Sequence, residues 1–126
     1  MKHAVLSDAP FHAVQADGPP GATCVWLMAG AARIRVAWWR GGDKGTVLLL
    51  PGRTECVEKY GRAAGDLVAR GFSVITVDWR GQGLADRALP DRMVGHVGDF
   101  AEYQDDLDAL LAEAARAGLP QPYYML

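Results

Sequence analysis

The spacing of hydrophobic residues changes near residue 46, and that change divides the chain. Before it, apolar and polar positions alternate only in part. Val25 to Met28 is a short apolar run, and Gly30-Ala31-Ala32 interrupts it. Arg33 to Arg40 then sets Ile34, Val36 and Trp38 against Arg33 and Arg35. Such alternation predicts a hairpin with one buried face and one solvated face. Gly41-Gly42-Asp43-Lys44-Gly45 reads as a turn. From Thr46 to Leu50 the run is continuously apolar. That predicts a strand buried on both faces, as in a parallel sheet covered by helices.

Helical spacing follows. Tyr60, Ala63, Ala64, Leu67 and Val68 share one face, with Glu58, Arg62, Asp66 and Arg70 largely opposite. Gly71 stands where a left-handed cap ends such a helix. Phe72 to Val77 predicts a second buried strand, Asp78 to Gly83 a loop, and residues 84–98 irregular chain. In the last helix, Asp99 is placed as N-cap with Glu102 reaching back. Phe100, Tyr103, Leu107, Leu110, Leu111 and Ala114 form its apolar stripe. Asp105, Asp106 and Asp108 lie in its N-terminal half, where the helix dipole favours acids. Gly118 and Pro120 stop it, and Tyr123 begins another strand-like run. Residues 1–24 read as an irregular lead-in and 25–126 as a partial α/β domain. Strand-helix alternation with short loops predicts a parallel α/β sheet behind an antiparallel hairpin.

Composition narrows the function classes. The chain has 126 residues, a formal charge of −2 and 50% hydrophobic residues. That fits one domain or part of one and argues against a disordered tail. No basic excess is available for nucleic acid. Cys24 and Cys56 stand alone, with no metal-ligand spacing and no disulfide framework, which suits a reducing compartment. The apolar start at Met1 to Leu6 is too short for a secretory leader. A cytoplasmic location is expected, with peripheral attachment to a membrane left open.

In an open α/β sheet, ligands bind at the carboxyl ends of the strands. Two loops qualify, Pro51-Gly52-Arg53-Thr54-Glu55 and Asp78 to Asp86. Neither matches a P-loop, and Gly81-Gln82-Gly83 lacks the third glycine of a dinucleotide fingerprint. Nucleotide binding is therefore not expected. Gly52 leaves room for close approach, while Arg53 and Glu55 suit either a surface ion pair or a pocket wall. Asp78, Arg80, Gly81 and Gly83 read as structural loop residues. Cys56 lies near a helix start, which can lower a thiol pKa, but no paired His is evident. The pairs Trp38-Trp39 and Tyr123-Tyr124 read as packing. The chain holds two serines, Ser7 and Ser73, and no G-x-S-x-G.

The two loops together carry a resemblance. Strand-Pro51-Gly52-Arg53-x-Glu55, then strand-Asp78-Trp79-Arg80-Gly81-Gln82-Gly83, resembles the N-terminal half of an α/β-hydrolase. The likeness is to the lysophospholipase and monoacylglycerol-lipase group, with its serine-aminopeptidase-like domain. Tyr60, Arg70-Gly71-Phe72, His96, Phe100 and Tyr103-x-x-Asp106-Leu107 continue it. Leu84-Ala85 departs from the small residue or Ser such proteins often carry.

The resemblance implies an α/β-hydrolase fold truncated before the nucleophile elbow. It implies a serine carboxylester hydrolase working through an acyl-enzyme on a small ester or lysophospholipid. The Arg53 backbone N–H would give one half of the oxyanion hole. Gly52, Thr54 and Glu55 would contact substrate. His96 would tether a loop, since the family's base lies far downstream. Nucleophile, acid and base are expected beyond Leu126, so the chain alone is expected to be inactive. Val47 to Leu50, left beside an incomplete partner strand at Tyr123, would favour aggregation, chaperone dependence or pairing with a complementing C-terminal fragment. Two other readings stay open: a fragment of an aminopeptidase of the same fold, and a non-catalytic α/β interaction module.

Overall fold

A computed structural model describes residues 5–52, 55–86 and 100–126. The elements run β1 (Val5–Asp8), α1 (Ala13–Ala16), β2 (Thr23–Ala29), β3 (Ala32–Trp39), β4 (Thr46–Leu49), a short 3-10 helix (Val57–Tyr60), α2 (Gly61–Ala69), β5 (Ser73–Asp78), α3 (Phe100–Arg116) and β6 (Tyr123–Met125). The described strands form one sheet in the order β1-β2-β3-β5-β4-β6. β1, β2, β3 and β5 pair antiparallel in turn. β4 lies parallel to both β5 and β6. The sheet is therefore mixed, an antiparallel hairpin joined to parallel strands.

Side-chain alternation sends each strand's residues to two cores. On one face Leu48, Ile75 and Val77 meet Leu27, Ile34 and Val36 beneath Leu110 and Ala114 of α3. On the other, Val47, Leu49 and Val74 meet Ala37 and Trp39 beneath Ala64 of α2. Every residue of β4 and β5 is buried, as the continuous apolar runs require.

Both long helices end alike. After α2 the N–H of Phe72 donates to Leu67 O and that of Gly71 to Val68 O; after α3 the N–H of Leu119 donates to Ala114 O and that of Gly118 to Ala115 O. These are Schellman pairs, and they need the left-handed φ of +99° at Gly71 and +69° at Gly118. Buried Leu119 then packs back into the α3 core.

The lead-in is more ordered than its sequence suggests. β1 extends the sheet at one edge, and Phe11 sets its ring edge-on to Trp39 at 5.6 Å. Trp38 instead faces α3, its Nε1–H donating to Glu113 Oε2 at 3.0 Å. Phe72 meets Tyr124 edge-on at 5.9 Å. β6 is the other edge of the described sheet, with Tyr124, Met125 and Leu126 exposed. Among the described residues, no helix is long and apolar enough to cross a membrane.

The hairpin corrects one expectation. Arg33 is half exposed, but Arg35 is only 1% exposed. β3 lies inside the sheet, and the lead-in and the 3-10 helix cover the face from which Arg35 projects. On α3, Asp106 is fully buried, while Asp105 and Asp108 are partly exposed. Asp99 and His96 lie outside the described residues.

A buried guanidinium and an exposed one should respond differently to removal. Arg35→Met is expected to cost about 3–5 kcal/mol, because it strands buried carboxylates. Arg33→Met should cost less than about 1 kcal/mol. Urea unfolding of both variants checks this; equal, small losses would contradict the buried placement.

Candidate active site

The carboxyl ends of β4 and β5 carry the two loops singled out above. Asp78, the last residue of β5, joins them. Its Oδ1 accepts the Val57 N–H at 2.8 Å, from the first loop's exit. Its Oδ2 accepts the Leu84 N–H at 2.8 Å, from the second loop. The same oxygen accepts Arg35 Nε at 2.8 Å. Asp78 is fully buried.

Arg35 carries the connection onward. Its Nη1 and Nη2 bind Glu58 Oε2 and Oε1 at 2.7 and 2.6 Å, a two-pronged pair. Nη1 also reaches Pro10 O at 2.8 Å, and the His12 N–H donates to Glu58 Oε2 at 3.0 Å. Burial pushes the Glu58 carboxyl up, but its bonds to Arg35 and the His12 N–H outweigh that and leave it below its ordinary value. Burial likewise works against the charged Arg35, and its carboxylate partners still raise it. One guanidinium thus fastens the lead-in, the hairpin and both loops.

Arg80 performs a parallel task on the other face. Its backbone N–H and Nε bind Asp106 Oδ2 and Oδ1, each at 2.9 Å. Nη2 binds Asp106 Oδ1 at 2.8 Å and the Ala29 carbonyl at 2.9 Å. Nη1 binds Glu102 Oε2 at 3.0 Å. Burial pushes the Asp106 carboxyl above its ordinary value against the pull of Arg80. The loop also closes on itself, with the Gly81 N–H on Asp86 O at 2.8 Å. Gly83 has no alternative: at φ +53° a Cβ there would lie 2.2 Å from the Asp78 carboxylate.

In the first loop, Glu55 turns back upon its own chain. Its Oε1 accepts the Gly52 N–H at 2.5 Å and the Tyr60 hydroxyl at 2.6 Å. Its Oε2 pairs with the Lys59 ammonium. Lys59 first, then Tyr60 and Gly52, hold the Glu55 carboxyl at about 2. From the neighbouring loop, Trp79 Nε1–H donates to Pro51 O at 2.9 Å. Arg53 and Thr54 lie outside the described residues.

Cys56 shows no sign of activation, since burial pushes its thiol up. Burial takes Cys24 to about 12. Among the described residues, no group of three or more His, Cys, Asp or Glu is placed to hold a metal ion. Sequence reasoning missed Arg35 and Glu58 as site-builders and left Asp106 as one matched residue of the Tyr103-x-x-Asp106-Leu107 element. That element was the available signal for Asp106.

Residues 41–126 match the family model described as serine aminopeptidase, S33. The chain belongs to the serine aminopeptidase S33 family. This S33 chain is 41% identical over 80 residues to lysophospholipase L2 of Escherichia coli K12, covering 64% of the chain and 24% of that relative. It therefore spans about a quarter of the curated relative's length. Among solved structures, the thioesterase domain from the curacin biosynthetic pathway superposes with a TM-score of 0.63 at 22% identity, over 83% of this chain and 34% of that one. Monoglyceride lipase from Saccharomyces cerevisiae, a soluble variant bound to a substrate analogue, gives 0.57 at 25% identity, over 75% and 31%. The S33 chain thus has the fold of the N-terminal part of an α/β-hydrolase.

Two predictions follow from this geometry. Gly83→Ala is expected to cost about 2–4 kcal/mol, combining left-handed strain with a disturbed buried carboxylate. Gly118→Ala, where a Cβ would meet nothing within 4 Å, should show only the strain, about 1–2 kcal/mol. Equal costs in chemical unfolding would contradict the Asp78 packing. Glu55 has a lowered folded pKa, so it adds stability above the ordinary glutamate value of about 4.3 and loses it as pH falls toward the folded value. Carboxyl NMR should find Glu55 ionised where ordinary glutamates are half protonated; titration with the rest would contradict the loop bonds.

Proposed function

We propose that this chain is the N-terminal part of a serine carboxylester hydrolase that acts on lysophospholipid-like esters. The observation that carries this reading is the 41% identity to a lysophospholipase L2, within a chain of the S33 family. The loop after β4 supports it. Attack on an ester carbonyl creates an oxyanion, which fixed backbone donors must stabilise. One such donor in this fold comes from the loop that follows the equivalent strand. In this chain that loop is Pro51-Gly52-Arg53, and the Arg53 N–H is assigned the role. Gly52, Thr54 and Glu55 would border the substrate. Glu55's described bonds turn it toward Gly52, Lys59 and Tyr60, so its part is to shape the loop that meets the ester.

The rest of the machinery is assigned to a C-terminal part carrying Ser, acid and His. The 126 residues contain no G-x-S-x-G, and Ser73 is buried in β5. The mechanism would be acyl transfer to that Ser and release by water, with no metal or cofactor required. Tyr124 and Met125 of β6, and Leu126 after it, are exposed and suit a covering C-terminal segment. The family's description also favours a second reading, an aminopeptidase.

The purified 126-residue chain is expected to leave a short p-nitrophenyl ester unhydrolysed. Hydrolysis surviving Cys56→Ala would contradict this. A chain continued past Leu126 through a G-x-S-x-G elbow should hydrolyse lysophosphatidylcholine faster than amino-acid p-nitroanilides. The reverse preference would favour the aminopeptidase.

A further inference from the structure

We propose that Trp79 and Glu55 clamp the Pro51–Gly52 peptide between them and act as positioning residues for the donor loop. The inference rests on the oxyanion reading of that loop for its purpose, but not for its geometry.

The Pro51 carbonyl and the Gly52 N–H belong to one peptide unit. Trp79 Nε1–H donates to that carbonyl at 2.9 Å. The N–H donates to Glu55 Oε1 at 2.5 Å. A peptide unit is planar and rigid, so it moves mainly by rotating as a plate between its flanking Cα atoms. Bonds at its two opposite edges stop that rotation. The plate immediately precedes the peptide that would offer the donor N–H, so its orientation fixes the φ of Gly52 and the direction in which the chain enters the donor position.

Both jaws of the clamp are themselves held. Trp79 sets its ring edge-on to Tyr103 of α3, with centroids 5.5 Å apart and planes at 69°. Glu55 is braced by the Tyr60 hydroxyl at 2.6 Å and by Lys59. These partners keep it ionised down to about 2, so it accepts as a carboxylate throughout the neutral range. Charged acceptors make the stronger bonds.

Gly52 acquires a second reason for being glycine. Its φ is not among the positive ones. A Cβ there would stand 3.0 Å from Glu55 Oε1, inside the space the jaw occupies. Any side chain at this position would press on the Glu55 carboxylate, so glycine leaves that jaw where it sits.

The test reads the clamp in the 126-residue chain, without substrate or nucleophile. Trp79→Phe keeps a ring beside Tyr103 and removes the indole donor together with part of the ring's bulk. Glu55→Gln keeps an amide oxygen and removes the charge. Native-state exchange of the Gly52 amide should quicken about tenfold in Trp79→Phe, the size of one lost hydrogen bond, while the Val74 to Val77 amides hold their protection. In Glu55→Gln the Trp79 indole resonance should move, reporting coupling across the peptide. An unchanged Gly52 amide in the first variant, or a stationary indole signal in the second, overturns the clamp. In an elongated, active chain, Trp79→Phe should lower kcat about tenfold with KM unchanged. An unchanged kcat there, with Gly52 exchange quickened, overturns the positioning role. An elongated chain with no hydrolysis at all would count against the oxyanion reading, and the exchange data would still decide the clamp.

Discussion

Arg35, bound at once to Glu58 and Asp78 inside the sheet, is the interaction on which the described loops depend. Two carboxylates meet one guanidinium, so the cluster carries an excess of negative charge. Burying that excess is costly unless other donors compensate. Three backbone N–H groups do so, those of His12, Val57 and Leu84. Each comes from a different stretch of chain. The electrostatic need of the cluster is therefore met by fixing the lead-in and both loops at the carboxyl ends of β4 and β5. Neither loop has to be ordered by its own short sequence.

The remaining contacts extend this frame. Arg80 and Asp106 pin the second loop to α3, and Arg80 also holds the Ala29 carbonyl at the end of β2. Trp79 reaches from that loop to Pro51 in the first. The two loops are thus tied twice, through the carboxylate of Asp78 beneath them and through the indole beside them. The proposed role of the first loop, to offer a backbone donor to a developing charge, would gain from such ties. Preorganised donors need not reorient when the charge appears.

The strands β4 and β5 and the helices α2 and α3 were legible because burial on both faces, and a helical stripe, leave unmistakable patterns. Their capping glycines Gly71 and Gly118 were legible for the same local reason. Arg35 was not. An arginine in an alternating strand looks the same whether it faces water or a carboxylate 43 residues away, and only the topology decides. β1 and α1 were hidden by length, since four residues are too few to show a period. Asp106 looked like one dipole-favouring acid among three until the fold brought Arg80 over it. Glu55 was read as an ion-pair or pocket residue; its pairing with Lys59 one turn on was within reach of local reasoning, but its bond to Gly52 was not.

The central claim is that one buried carboxylate holds both loops. Amide hydrogen exchange in an Asp78→Asn variant tests it most directly. Asn replaces one carboxylate oxygen with an amide that cannot accept, and it removes the charge facing Arg35. Whichever of the Val57 and Leu84 amides is left facing the NH2 group should lose protection by about tenfold or more, and the one on the remaining neutral oxygen by less, both beyond any change in the Val74 to Val77 amides. If both keep their protection, or if they respond only in step with the core strand, Asp78 is not the shared anchor.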